Sequence, residues 1–146
     1  MTDTDYWWVL EPVWDQIDID GPETFLSSAS RIPRPLVLLY SAHFCASEVC
    51  NGGFAQFFDN STGVLGPEAA EGFAALGLPE MAATVSTAIS RFGPTYPRAR
   101  ETRQEAMTEE MQEGFEPLND RFYALIESEG GGFQRAAGKF AQGISS

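Results

Sequence analysis

His43, Cys45, Glu48 and Cys50 lie within one short stretch, and they are residue types that hold zinc or activate a nucleophile. The stretch reads as helix, and successive helical residues turn by ~100°. Cys45 then points about 200° away from His43, and Cys50 alone shares the histidine's face. That spacing does not build a tetrahedral site. It predicts a core histidine beside two small core cysteines that stay free thiols. His43 is the only histidine of the chain, which excludes every mechanism needing two. Nothing marks either thiol as exposed or activated, so a cysteine and histidine nucleophile pair has no support.

A second candidate fails in the same way. In the segment from Asp15 to Glu23, the residues Asp18, Asp20 and Gly21 stand where a calcium-binding loop has its third, fifth and sixth positions. Gln16 would then open the loop and Ser27 would close it, so the bidentate carboxylate is missing. The segment reads as an acidic helix end and turn. The chain carries no phosphate-binding glycine motif, no nucleophile elbow and no zinc-ligand spacing. Carboxylates are abundant, yet none is singled out by an apolar pocket that would raise its pKa for acid or base work. The expectation is a protein without metal, cofactor or enzymatic activity.

The acids carry more information as a pattern. Glu101, Glu105, Glu109 and Glu113 recur at i, i+4, and on one helix they sweep an arc of about 120° with Met107 and Met111 roughly opposite. Like charges at that spacing mildly destabilise a helix, and solubility alone is better served by alternating signs. Carboxylates about 6 Å apart are sparser than the phosphates of one DNA strand, so imitation of a duplex needs a second acidic stripe. The N-terminal segment offers one in Asp3, Asp5, Glu11, Asp15, Asp18, Asp20 and Glu23, with no base before Arg31. A dimer would offer another. The competing reading is a solvated face that only keeps the protein soluble.

Composition agrees with a binding role. The chain has 146 residues, 21 acids against 9 bases and a formal charge of −12. Such a field repels phosphate, which disfavours direct binding to nucleic acid or an anionic membrane and favours basic partners. At 43% apolar and 12% aromatic the chain has material for one hydrophobic core, and its length suits a single domain over residues 1–146. The start, Met1-Thr2-Asp3-Thr4-Asp5, has neither a basic region nor a sustained apolar stretch, and no apolar run approaches the ~20 residues of a membrane helix. The cytoplasm is the expected address.

Helical periodicity recurs along the chain. Trp7, Leu10, Trp14 and Ile17 form one stripe, which Pro12 must kink or divide. Residues 36–50 are apolar nearly all round, as a central buried helix would be. Asn51-Gly52-Gly53 supplies a break, after which Phe54, Phe57 and Phe58 follow at helical spacing up to a turn at residues 60–63. Further stripes run over 68–76, over 79–92 and from Phe115 to Ile126, with a last short helix from Phe133 to Ile144. Residues 98–111 read as one polar helix. Strict alternation is nowhere sustained, so the fold class is all-α, a compact multi-helix bundle.

Glu48-Val49-Cys50-Asn51-Gly52-Gly53-Phe54-Ala55-Gln56-Phe57-Phe58-Asp59-Asn60-Ser61-Thr62-Gly63 resembles the signature of a bacterial domain family, largely of unknown function, that is named after a DNA-mimic protein. Ala69-Ala70, Ala74-Ala75-Leu76-Gly77 and Leu118-Asn119-Asp120-Arg121-Phe122-Tyr123 extend the likeness over residues 33–128. The resemblance implies an all-α domain, and for the founding member a dimer whose acidic surface occupies a transcription factor's DNA-binding face. The signature residues read as structural: Asn51, Gly52 and Gly53 as a cap, Phe54 and Phe57 as packing, and Glu48, Gln56 and Asn60 as polar groups fixing the junction.

The expected function is therefore an acidic module that binds a basic protein, such as a DNA-binding transcription factor, through Asp15, Asp18, Asp20, Glu101, Glu105, Glu109 and Glu113. Two alternatives stand beside it. One is an immunity-type protein that neutralises a basic toxin; the other is a small-ligand or enzymatic site lined by Glu48, Asn51, Gln56 and Asn60.

Overall fold

Prolines in first turns and glycines with positive φ set the boundaries of the helices. A computed structural model describes residues 5–145. The order is α1 (Trp7–Leu10), a 3-10 turn (Glu11–Gln16), α2 (Pro22–Ala29), α3 (Arg34–Asp59), a 3-10 turn (Ser61–Leu65), α4 (Gly66–Ala75) and α5 (Pro79–Ser90). After these come α6 (Arg100–Ala106), α7 (Glu109–Gly114), α8 (Glu116–Ser128), a 3-10 turn (Glu129–Gly131) and α9 (Phe133–Ser145). Pro22, Pro35, Pro67, Pro79 and Pro117 each sit in the first turn of their helix, where the missing N–H costs nothing. Among the described residues there is no strand, and the fold is all-α.

The long helix α3 is the axis of the molecule. Its first limb buries Val37, Leu39, Ala42, Cys45 and Val49, and α4 packs along it. That packing is close: a Cβ on Gly72 would meet the Leu38 carbonyl oxygen at 2.4 Å, so only glycine lets the two backbones approach. The second limb carries Phe54, Phe57 and Phe58, all fully buried. They join Phe73, Phe115 and Phe122 in ring contacts with centroids 5.3 to 6.2 Å apart, mostly tilted or edge-on. Helices α5, α8 and α9 close the core around them with Val85, Leu125 and Ala137.

Three sequence expectations need correction. The polar segment 98–111 is not one helix: Met107 (φ −79°, ψ 80°) and Thr108 (φ −69°, ψ 166°) leave the helical region and separate α6 from α7. Met107 is buried, and the Thr108 hydroxyl accepts the Met111 N–H at 3.2 Å, so the break has both an anchor and a cap. Cys50 is exposed; the helix turns it outward just before the kink, whereas Cys45 is fully buried. Of the N-terminal stripe, Leu10 and Ile17 are buried, together with Val9 and Val13, but Trp14 is half-buried and Trp7 is 41% exposed, because α1 ends at Leu10 and a 3-10 turn replaces the single helix.

Candidate functional site

The signature sits on the kink of α3. Gly52 (φ −151°, ψ 18°) and Gly53 (φ 79°, ψ −179°) break the helix, and Gly53 occupies a region open only to glycine. The kink is held by side chains that cross it. Gln56 Nε2 donates to Glu48 Oε2 at 2.6 Å, Asn60 Nδ2 donates to the same oxygen at 3.2 Å, and Asn51 Nδ2 donates to Gln56 Oε1 at 3.2 Å. One carboxylate on the first limb thereby ties down two amides on or just beyond the second.

Asn119 of α8 completes the lock. Its Oδ1 accepts the Phe54 N–H at 2.8 Å, capping the second limb from a residue distant in sequence. A Cβ on Gly53 would lie 2.7 Å from Asn119 Nδ2, so the glycine also makes room for its own cap. An open depression lined by Ser47, Glu48, Cys50, Asn51 and Gln56 runs alongside. Its polar groups face each other across the kink.

At the far end of α3 the cations turn inward. A helix end leaves carbonyls without intrahelical partners, and positive groups suit that end. The guanidinium of Arg103, fully buried, donates to the Phe58 carbonyl at 2.8 Å, the Asn60 carbonyl at 2.9 Å, the Pro97 carbonyl at 3.3 Å and the Arg98 carbonyl. Arg100 Nε and Gln104 Nε2 both reach the Asp59 carbonyl, at 2.7 and 3.1 Å. Arg98 binds the buried Glu68 through two bonds of 2.9 Å. Sequence reasoning missed Arg103 and Asn119 because their partners are backbone groups remote along the chain; the only signal was Asn119's place inside the family-like segment.

His43 falls short of the core position expected for it. The imidazole is half-buried, its Nδ1 lies 2.7 Å from the Tyr6 hydroxyl, and Trp7, Trp14 and Phe44 surround it. Burial holds the His43 pKa below its ordinary value, and burial with nearby Asp5 pushes Tyr6 up to about 12. The Cys45 thiol is pushed well up by burial, and Cys50 is raised by burial and by Glu127. Both cysteines are free, and among the described residues no group of three or more His, Cys, Asp or Glu is placed to hold a metal ion.

The acids assigned to partner binding fall in two sets. Asp15 and Asp20 are exposed and Asp18 half-buried, its Oδ1 accepting the Asp20 N–H at 2.8 Å in a local turn. Asp3 lies outside the described residues. Glu101 and Glu105 are exposed on α6, Glu109 and Glu113 on α7, so the continuous arc becomes two pairs. Ion pairs among the described residues join Arg34 to Glu71, Arg98 to Glu68 and Arg121 to Glu80, and none involves these seven acids.

Many of the chain's acids have a local reason. Glu23, Glu68, Glu80, Glu101, Glu109, Glu110 and Glu116 all stand in first turns of helices, where the backbone dipole favours negative charge by ~0.3 to 1 kcal/mol each. A chain of many short helices has many such positions. Asp15, Asp18, Asp20, Glu105 and Glu113 lie outside them, and no first-turn dipole accounts for their charge.

An all-α domain with a kinked, side-chain-locked central helix and a surface of uncompensated carboxylates is the class that fold and site define. The chain belongs to the DMP19-like protein family, whose family model matches residues 30–142. No curated protein and no solved structure matches it. The matched span is wider at both ends than residues 33–128; it takes in the lock, α6 and α7 but leaves out Asp15, Asp18 and Asp20.

Proposed function

We propose that the protein is a non-catalytic acidic binding module that acts in the cytoplasm and occupies the DNA-binding face of a basic regulator by presenting carboxylates where phosphates would sit. The observation that carries this reading is that five of the nine bases are engaged within the chain while several acids are not. Arg34, Arg98, Arg100, Arg103 and Arg121 are engaged with carboxylates or backbone carbonyls of the same chain, while Asp15, Asp20, Glu105 and Glu113 face solvent without a cation. The family match supports a DNA-mimic role. The mutual hydrogen bonds of Glu48, Asn51, Gln56 and Asn60 support a structural rather than a catalytic signature. A homodimer would double the acidic surface and supply the second stripe that two short helices lack.

The test uses the acids that no helix end needs. Glu105→Lys with Glu113→Lys leaves the first turns of α6 and α7 intact, so helicity is retained while the charge reverses at these two positions. Purified basic DNA-binding regulators are captured on the protein and challenged with duplex DNA. The reading requires that a captured regulator release its DNA, that capture weaken as salt rises from about 50 to about 500 mM, and that the double variant abolish it. Capture that is indifferent to salt and to both substitutions removes it.

A further inference from the structure

We infer that Trp7 and Trp14, fringed by Glu11 and Asp15, form a platform for an arginine side chain of the basic partner. This deepens the acidic-binding reading and rests on it. Trp7 leans on Trp14 in a tilted contact with centroids 4.5 Å apart and planes 60° apart, and Trp14 stacks in turn on Phe44 at 5.0 Å. His43 and Tyr40 back the cluster, with centroids 5.9 and 5.3 Å from Trp14. Trp7 remains 41% exposed on top of this pile, one of few large apolar side chains so open. Trp14 is thus held between several rings, while Trp7 stays partly open to solvent.

The chemistry around the rings selects the occupant. Glu11 and Asp15 are exposed and carry no ion pair; in the 3-10 turn after α1, Glu11 stands four residues beyond Trp7 and Asp15 directly after Trp14. Asp5 accepts the Trp7 backbone N–H at 3.0 Å, which brings a further carboxylate to the start of the same stretch. A flat aromatic face bordered by carboxylates suits a guanidinium, which stacks through its plane and donates at its edge; an ammonium has no plane to stack. The chain contains the same arrangement internally: Arg98 lies 5.8 Å above the Phe25 ring while its edge binds Glu68. There the guanidinium comes from the chain itself. On Trp7 it would come from the partner. The platform also lies outside residues 30–142, so it is a feature of this chain beyond the family match.

Trp7 and Trp14 are two of the three tryptophans in the sequence, so intrinsic emission reports largely on this surface. Two peptides of equal length and charge, one rich in arginine and one in lysine, are titrated by fluorescence and by calorimetry at low salt. The arginine peptide is expected to bind about fivefold more tightly, the equivalent of one exposed cation–π contact. Trp7→Ala should remove that preference, Trp7→Phe should keep part of it, and Glu11→Gln with Asp15→Asn should weaken both peptides alike. Circular dichroism checks that each variant keeps its helicity. Equal binding of the two peptides, unchanged in Trp7→Ala, overturns the platform and leaves the acidic reading standing. Failure of both peptides to bind overturns the two together. If Trp7→Ala turns a self-associated protein into monomers without altering peptide preference, the patch is a self-association face and the inference is overturned.

Discussion

Gly53 and Asn119 form a matched pair, because the backbone that only glycine adopts is also the backbone that exposes the Phe54 N–H to the asparagine. Gly53→Ala imposes a disfavoured φ and drives a Cβ against a buried side chain, and should cost about 1 to 3 kcal/mol in denaturant unfolding. Gly52→Ala meets Gln56 alone, at 2.0 Å from Oε1 and 3.0 Å from Cβ, so the amide must swing away from Glu48, and with no positive φ to strain it should cost less. Asn119→Ala should cost about 1 kcal/mol as a lost cap. The glycine pair was readable from sequence as a break; its partner was not, since a cap supplied from another helix leaves no local pattern. His43 gives a second test at this scale. Burial lowers its folded pKa, so the unfolded chain binds the extra proton first, and stability falls as pH drops through about 6.5. Protonation also places a proton on both ring nitrogens, so Nδ1 can only donate toward Tyr6. The loss between pH 7 and pH 5.5 should shrink in His43→Gln, measured by the denaturant midpoint.

Among the helices, the apolar stripes placed α4, α5 and α8 because each has a face that only burial satisfies. The segment 98–111 misled because its charged residues have helical spacing on both sides of Met107, and charge spacing does not register a break. What ends α6 is the burial of Met107, and what starts α7 is the Thr108 cap. A similar device opens α5: the Glu129 carboxylate accepts the Glu80 and Met81 N–H groups at 2.7 and 2.8 Å, doing from the far side of the chain what a local cap residue usually does. Glu129→Ala should leave those two amides without a partner in the protein. Hydrogen exchange at Glu80 and Met81 should accelerate, while exchange in the middle of α5 stays near wild type. Uniform acceleration over α5 would instead mean that the whole helix depends on the cap.

For the molecule as a whole, a charge of −12 acts against its own compactness, because carboxylates brought together by folding repel one another. Added salt screens that repulsion, so the melting temperature should rise by a few degrees between low and moderate ionic strength. The acids do not contribute equally to it. Glu101 and Glu109 stand in first turns and return part of their repulsion as attraction to the helix dipole, whereas Glu105 and Glu113 do not. At low salt, Glu105→Gln and Glu113→Gln should therefore raise the melting temperature, and Glu101→Gln and Glu109→Gln should lower it or leave it unchanged, the difference closing at high salt. A carboxylate that weakens the fold and strengthens capture of a basic regulator is held for binding. If Glu105→Gln and Glu113→Gln instead lower the melting temperature, those carboxylates serve the fold, and the acidic surface loses its clearest claim to a partner.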